Sequence, residues 1–281
     1  MLGDDNPQTG ITFGLQHVID GYGRHEVIID NASHGIAIHE MEKEHLQNLF
    51  SIYRQRMQEL YESDPRLKYV LVFKNFGPAA GARIPHTHSQ IIATPVVPQN
   101  VEDEVINSRQ YHAKYNQCVF CSLIDEALTY EATIYDRESG EIRRKIDVGQ
   151  YVVERSRHFV AIKPFASRYE WELHILPLDH QADFLQVTAD QLEDFAQLLK
   201  RTMQRLDQVI GGAQYNFFLH SKPHGKDYEN CNESYHWHLE ICPRTSIPTG
   251  FELGSGLFVS TISPEDAASA LRAVELPDES A

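Results

Sequence analysis

The sequence predicts an α+β chain built from two related modules in tandem, each with meandering, mostly antiparallel strands and one long helix. Three recurrences predict it: a strand-like run with the same closing residue, an amphipathic helical pattern at a fixed distance beyond it, and a His-x-His pair ending each copy.

The first recurrence is HEVIIDNASH (His25 to His34) and WELHILPLDH (Trp171 to His180), each a glutamate, an alternating run and a closing histidine. Leu46 and Leu192 follow their closing histidines by twelve positions and open the helical patterns. The first places Leu46, Leu49, Phe50, Tyr53, Met57, Leu60 and Tyr61 on one face, the second Leu192, Phe195, Leu199, Met203, Leu206 and Ile210. Thr188 with Gln191 supplies a capping box for the second. Forty-one positions after each closing histidine another strand ends, KYVLVFKN at Asn75 and QYNFFLHS at Ser221.

The copies close on His86/His88 and His236/His238, 52 and 56 positions after the closing histidines to the first of each pair, so only a loop length differs. Short hairpin-like connections favour this arrangement over a doubly wound parallel sheet. The polar stretch NVEDEVINSRQYHAKYNQ, residues 100 to 117, suits a connection and divides the chain into 1–110 and 111–281.

Composition narrows the function. The 281 residues are 42% apolar and 23% charged, ordinary for a globular protein with a real core. Lysine and arginine number 25 against 40 acids, a net charge of −15 with no basic cluster, which argues against a nucleic-acid partner. No apolar run approaches the roughly 20 residues that span a bilayer, and MLGDDNPQTG lacks the basic and apolar regions of a signal peptide. The expectation is a cytoplasmic protein without a membrane segment.

The four cysteines are Cys118, Cys121, Cys231 and Cys242. In a reducing compartment the CVFC pair points to metal rather than a disulfide. With His180 and His236 it makes a tetrahedral Cys2His2 zinc set whose long sequence gaps only the fold can close. The plain alternative is buried thiols beside hydrogen-bonded histidines. Cys118 precedes His180 by 62 positions, so its equivalent in the first copy falls ahead of residue 1, leaving His34 and His86 as half of a possible site.

In HTHSQ, positions i, i+2 and i+4 of an extended strand share a face, so His86, His88 and Gln90 project together. The preceding NFGPAAGAR loop, Asn75 to Arg83, lets backbone amides approach a phosphate. An imidazole anchored through Nδ1 exposes Nε2 as a nucleophile. Attack on the α-phosphorus of a nucleoside diphosphate ester gives a nucleotidyl-histidine, with Gln90 donating to the non-bridging oxygens.

These residues carry a resemblance. From HEVIID through KYVLVFKNFGPAAGARIPHTHSQIIATPVVP and CVFC to GFELGSGLFVSTISPEDAASALR, the chain is similar to the galactose-1-phosphate uridylyltransferase branch of the histidine-triad superfamily. HxHxQ after an Asn/Gly loop is specific to the nucleotidyl-transferring branch; family hydrolases end the motif in histidine. The resemblance implies two histidine-triad-like modules and a ping-pong reaction that moves UMP from UDP-glucose to a histidine and then to galactose 1-phosphate. By motif, His88 is the nucleophile and Gln90 its phosphate-contacting partner, Asn75 and Gly81 line the nucleotide phosphates, and Phe251 and Glu252 face the hexose. It also implies zinc at Cys118, Cys121, His180 and His236, and a homodimer. The implied small-molecule partners are a nucleotide sugar and a hexose 1-phosphate.

Departures from the family pattern are informative. Glu240 stands where the second copy would need glutamine, so one active His-x-His per chain is expected. Arg83 replaces the usual phosphate-binding serine, with a different geometry for holding phosphate. Thr87 replaces a proline and resembles the small polar residue of ADP-glucose phosphorylase-like members. The family's first CxxC and surrounding strands have no counterpart in this chain. Two other readings therefore compete with hexose-1-phosphate uridylyl transfer. One is phosphorolysis of ADP-glucose or a diadenosine polyphosphate, with inorganic phosphate as acceptor. The other is zinc-stabilised nucleotide binding without catalysis.

Overall fold

Eight strands join both copies into one antiparallel sheet. The computed structural model describes residues 10–129 and 131–277. A short exposed hairpin, β1 (Ile11–Phe13) and β2 (Gln16–Val18), precedes the first module: β3 (Arg24–Ile29), α1 (Lys43–Ser63), β4 (Tyr69–Phe76) and β5 (His88–Thr94). Helices α2 (Gln99–Tyr115) and α3 (Val119–Thr129) and a second hairpin, β6 (Glu131–Tyr135) with β7 (Ile142–Asp147), follow. The second module comprises β8 (Val152–Arg155), β9 (Phe159–Ile162), β10 (Leu173–Pro177), α4 (Ala189–Ile210), β11 (Tyr215–His220) and β12 (His238–Pro243). Two helices, α5 (Gly250–Ser255) and α6 (Pro264–Arg272), close the described chain.

The large sheet runs β3-β5-β4-β11-β12-β10-β9-β8. Its first six strands form a palindrome in which β3, β5 and β4 mirror β10, β12 and β11. The copies meet where β4 pairs antiparallel with β11, with Phe73 opposite Phe218. Side-chain burial corrects the predicted correspondence by one residue. Val72 and Lys74 are buried while Phe73 and Asn75 are half-buried; Phe217 and Leu219 are buried while Phe218 and His220 are half-buried. Asn75 is therefore matched by His220, not Ser221, because the period of two along a strand fixes which face a side chain takes.

Helix α1 buries Leu46, Leu49, Phe50, Tyr53, Met57 and Leu60. Helix α4, opened by the Thr188/Gln191 capping box, buries Leu192, Phe195, Leu199, Met203 and Leu206. Each such side chain contributes about 1.5–3 kcal/mol when fully buried. The two helices pack on each other, with Phe50 and Phe195 ring centroids 4.8 Å apart in an edge-on contact. One apolar cluster spans both modules, so neither half closes its core alone.

The polar connection is helical. Among its charges, Val101, Val105 and Ser108 fall at i, i+4 and i+7 and are buried. Asn116 ends the helix in the left-handed conformation, φ 55°. The sequence-based division at residue 110 falls inside α2. No helix among the described residues is long and apolar enough to cross a membrane.

Candidate active site and metal centre

Strand β5 begins at His88, so His86 lies in the bend before it rather than on the strand. The His86 ring turns to Asn31, whose carbonyl is 2.8 Å from its Nε2, and its Nδ1 is 3.0 Å from Nδ1 of His34. His88 donates Nδ1–H to the His86 carbonyl at 2.8 Å. That bond fixes the tautomer and leaves the Nε2 lone pair outward, the state a nucleophilic imidazole needs. Two residues on, Gln90 Oε1 accepts from His25 Nε2 at 2.9 Å, and among the described residues no group accepts from the Gln90 amide hydrogens.

A buried ion pair supports this backbone. Lys74 and Asp30 have fully buried side chains, and Lys74 Nζ donates to Asp30 Oδ2 at 2.5 Å, Thr87 Oγ1 at 2.7 Å and the His88 carbonyl at 3.1 Å. Asp30 also accepts from Ser89 Oγ at 2.9 Å. Burial pushes the Lys74 ammonium below its ordinary pKa, opposed by the Asp30 charge. Sequence reading missed the pair, although a lysine inside YVLVFKNF signals a counter-charge, because an unpaired buried ammonium is costly.

The Gly/Ala loop turns at Gly77 and Gly81, φ 86° and 82°, and a Cβ on Gly77 would also meet the Gln214 side chain at 2.5 Å. A pocket of about 290 Å3 opens there, lined by Asn75, Gly77, Arg83, His86 and Thr87 among others. The fold thus gathers the expected Asn75 and Arg83 beside His86, with His88 and Gln90 continuing along β5. Phe251 and Glu252 lie on the short α5; Phe251 is exposed and the Glu252 carboxylate accepts from Thr249 N and Oγ1, both at 2.9 Å. Backbone N–H groups of its own helix hold that carboxyl below its usual pKa. Among the described residues no hydrogen bond joins either to the β5 strand.

In the second module Cys118, Cys121, His180 and His236 converge, with one ligand atom from each lying within 4.8 Å of the others. His180 Nε2 lies 2.8 Å from the Asn232 carbonyl and His236 Nε2 3.0 Å from that of Pro177, so both present Nδ1 to the thiols. Cys121 Sγ is 3.3 Å from His180 Nδ1 and 3.6 Å from His236 Nδ1. The two thiols shift in opposite directions: Cys118 is driven well down, chiefly by a hydrogen bond from Cys121, and Cys121 is pushed up by the same contact. Two sulfurs, two imidazole nitrogens with anchored rings and a partly shielded centre fit a structural tetrahedral metal. His34 and His86 repeat the imidazole half of this geometry, but among the described residues no thiol joins them.

The second His-x-His starts like the first, with His238 Nδ1 bonded to the His236 carbonyl at 3.0 Å. Its Nε2, however, faces Glu104 Oε1 at 3.3 Å and Glu240 Oε1 at 3.7 Å. Burial lowers the His238 pKa, but Glu104 and Glu240 outweigh it and push it up to about 10. Glu240 is in turn bound by Arg168. Glu104, His220, His238 and Glu240 form a second cluster within 4.8 Å that offers two carboxylates and two imidazoles to a cation. Glu104 comes from α2, and no spacing in the sequence links it to the His-x-His.

Comparison with known proteins gives a consistent picture. Residues 8–98 match the family model of the galactose-1-phosphate uridyl transferase N-terminal domain. An ADP-glucose phosphorylase of Arabidopsis thaliana is 30% identical over 94% of this chain and 68% of its own length. A galactose-1-phosphate uridylyltransferase of Thermotoga maritima is 26% identical over 89% of this chain and 74% of its own. Among solved structures, an Arabidopsis thaliana ADP-glucose phosphorylase with bound ADP-glucose superimposes with a TM-score of 0.80 at 29% identity, covering 92% of this chain and 75% of that one.

Proposed function

Because the chain belongs to the galactose-1-phosphate uridylyltransferase family, whose members here share nucleotidyl-transfer chemistry, we propose that it works through a nucleotidyl group carried on His88. The observation that carries this reading is the His88 ring, anchored through Nδ1 with Nε2 open beside the free amide of Gln90.

In the first half-reaction the Nε2 lone pair attacks the α-phosphorus of a nucleoside-diphosphate sugar. The Nε2–P bond forms, the bond from the α-phosphorus to the bridging oxygen breaks, and the sugar 1-phosphate leaves with the electron pair. The ring then carries positive charge, which the His86 carbonyl stabilises through Nδ1–H. Gln90 and Asn75 donate to the phosphate oxygens, Gly81 lets the loop backbone come close, and Arg83 offsets charge. In the second half-reaction a phosphate oxygen of the acceptor attacks the same phosphorus; a P–O bond forms, the Nε2–P bond breaks with its electron pair returning to the neutral imidazole, and the acceptor leaves carrying the nucleotidyl group.

The donor we propose first is UDP-glucose, with a hexose 1-phosphate such as galactose 1-phosphate as acceptor and Phe251 and Glu252 toward the hexose. A second reading, ADP-glucose with inorganic phosphate as acceptor, is favoured by the ADP-glucose phosphorylase relative and by Thr87. Zinc at Cys118, Cys121, His180 and His236 would tie α3 to the ends of β10 and β12 as a structural cross-link. The functional unit in this reading is a homodimer, which light scattering tests.

Intact mass after brief incubation with UDP-glucose or ADP-glucose separates the donors, with His88→Ala as control. A uridylyl adduct confined to the parent chain supports the first reading and an adenylyl adduct the second. No adduct with either donor on a folded sample overturns nucleotidyl transfer.

A further inference from the structure

The loop beside the nucleophile is held by the other half of the molecule. Asn216, on β11 and 4% exposed, is bonded through its whole side chain. Its Oδ1 accepts from Arg244 Nε at 2.5 Å, and its Nδ2 donates to the Ala80 carbonyl at 2.9 Å and to Asn75 Oδ1 at 2.6 Å. Arg244 is fixed in turn by the Tyr169 hydroxyl and lies 4.4 Å from the centre of that ring. Gln214, also from the second module, takes the Ala79 N–H at 2.7 Å.

The polarity of this chain is not arbitrary. A guanidinium only donates and a carbonyl only accepts. Arg244 at one end and the Ala80 carbonyl at the other therefore force the same orientation on the Asn216 amide. Asn216 must then donate to Asn75, so Asn75 must present its oxygen to the protein and its NH2 away from it. Asn75 lines the pocket beside His86, and among the described residues no group accepts from its Nδ2.

We propose that Arg244 and Asn216 are positioning residues that set the amide of Asn75 as a donor toward an anionic oxygen of the nucleotide diphosphate. This rests on the reading of that pocket as the phosphate site. A site reversed to an oxygen would repel phosphate, so the half that lacks the nucleophile determines whether the half that has it can bind a donor.

The test is donor binding by calorimetry in the His88→Ala chain, where no chemistry occurs, with ADP-glucose and UDP-glucose as probes. Asn216→Asp is nearly isosteric but cannot donate, so Asn75 must turn its oxygen outward. The dissociation constant of the bound donor rises by about 10- to 100-fold, the worth of a hydrogen bond to a charged group. Arg244→Met gives a smaller rise in the same direction. In an Asn75→Ala background Asn216→Asp adds less than about twofold, because residues acting through one another are non-additive.

In the otherwise native chain the change falls on donor KM, with nucleotidylation of His88 at saturating donor nearly kept. Unchanged binding in both Asn216→Asp and Arg244→Met overturns the proposal, as does full additivity with Asn75→Ala. If Asn216→Asp does not fold, Arg244→Met and its cycle with Asn75→Ala decide alone. Binding without any adduct on the parent chain removes the function but not the relay; no binding of either nucleotide sugar removes both.

Discussion

His88 and His238 occupy matching places and share the bond that orients them, Nδ1 to the carbonyl two residues back, at 2.8 and 3.0 Å. They differ at the other nitrogen. Nε2 of His88 is open beside a neutral amide, whereas Nε2 of His238 is enclosed by Glu104 and Glu240 and its ring is held charged. The duplicated fold thus supplies an oriented imidazole twice. What separates a candidate nucleophile from a structural cation is the charge of the group two residues on and whether another helix reaches the ring.

The comparison breaks most visibly when each histidine is removed. His88→Ala should abolish nucleotidylation, a loss of at least about a thousandfold, while leaving stability little changed. His238→Ala should take one partner from the buried Glu240 and the half-buried Glu104, which keep Arg168 and His220, and cost about 1–3 kcal/mol of stability. Denaturant unfolding beside single-turnover labelling checks both, and an active His88→Ala chain would sink the nucleophile assignment.

Giving the first half the second half's residue sharpens the point. Gln90→Glu places a carboxylate against phosphate and should slow nucleotidylation by about a hundredfold, since one preorganised donor is worth about that much. The reverse change, Glu240→Gln, should create no second labelled histidine, because Glu104 still faces His238. Peptide mapping of the adduct distinguishes the outcomes.

The metal centre is the next difference. Cys118→Ser should release the zinc, from about one per chain to none by elemental analysis, and lower Tm by about 4–8 °C for a loss near 2 kcal/mol. His34→Ala should do neither, because that imidazole pair lacks thiols. Equal metal content in parent and Cys118→Ser would remove zinc from this site.

The smallest contrast lies at the helical turns after each closing histidine, where Ala37 stands at the start of the first and Asp183 at the start of the second. Burial raises the Asp183 carboxyl, but His224, Leu185 N and Ser221 outweigh it and hold its pKa below the ordinary value. A lowered carboxyl contributes stability that is fully present above its unfolded pKa, near 4, and is lost progressively as pH falls from there through the lower folded-state value. Asp183→Ala should therefore cost about 2 kcal/mol at pH 7 and less near pH 3. An equal loss at both pH values would assign the effect to packing instead.

Much was legible in the linear chain because it rests on local periodicity. The apolar faces of α1 and α4 and the Thr188 cap follow from spacing within one element. The tandem copies made the His-x-His pairs and CVFC stand out. The α2 helix was obscured because only Val101, Val105 and Ser108 mark its buried face amid charges. The strand correspondence slipped by one because Asn75 and Ser221 were counted from a distant histidine, whereas the packed sheet fixes parity by facing Phe73 with Phe218.

The sequence by itself determined an α+β chain of two related modules and pointed to the His-x-His-x-Gln motif and to the four residues Cys118, Cys121, His180 and His236 that the fold brings together, since each is written in spacing or in residue types with narrow chemistry. Only the tertiary structure decided that both modules share one sheet and core, that Glu104 closes on His238, that Lys74 and Asp30 hold the start of the His88 strand, and that Arg244 and Asn216 bind Asn75. Those contacts join residues far apart in the chain. Burial makes them obligatory, because a charge or amide removed from water must find its partner wherever the fold has put it.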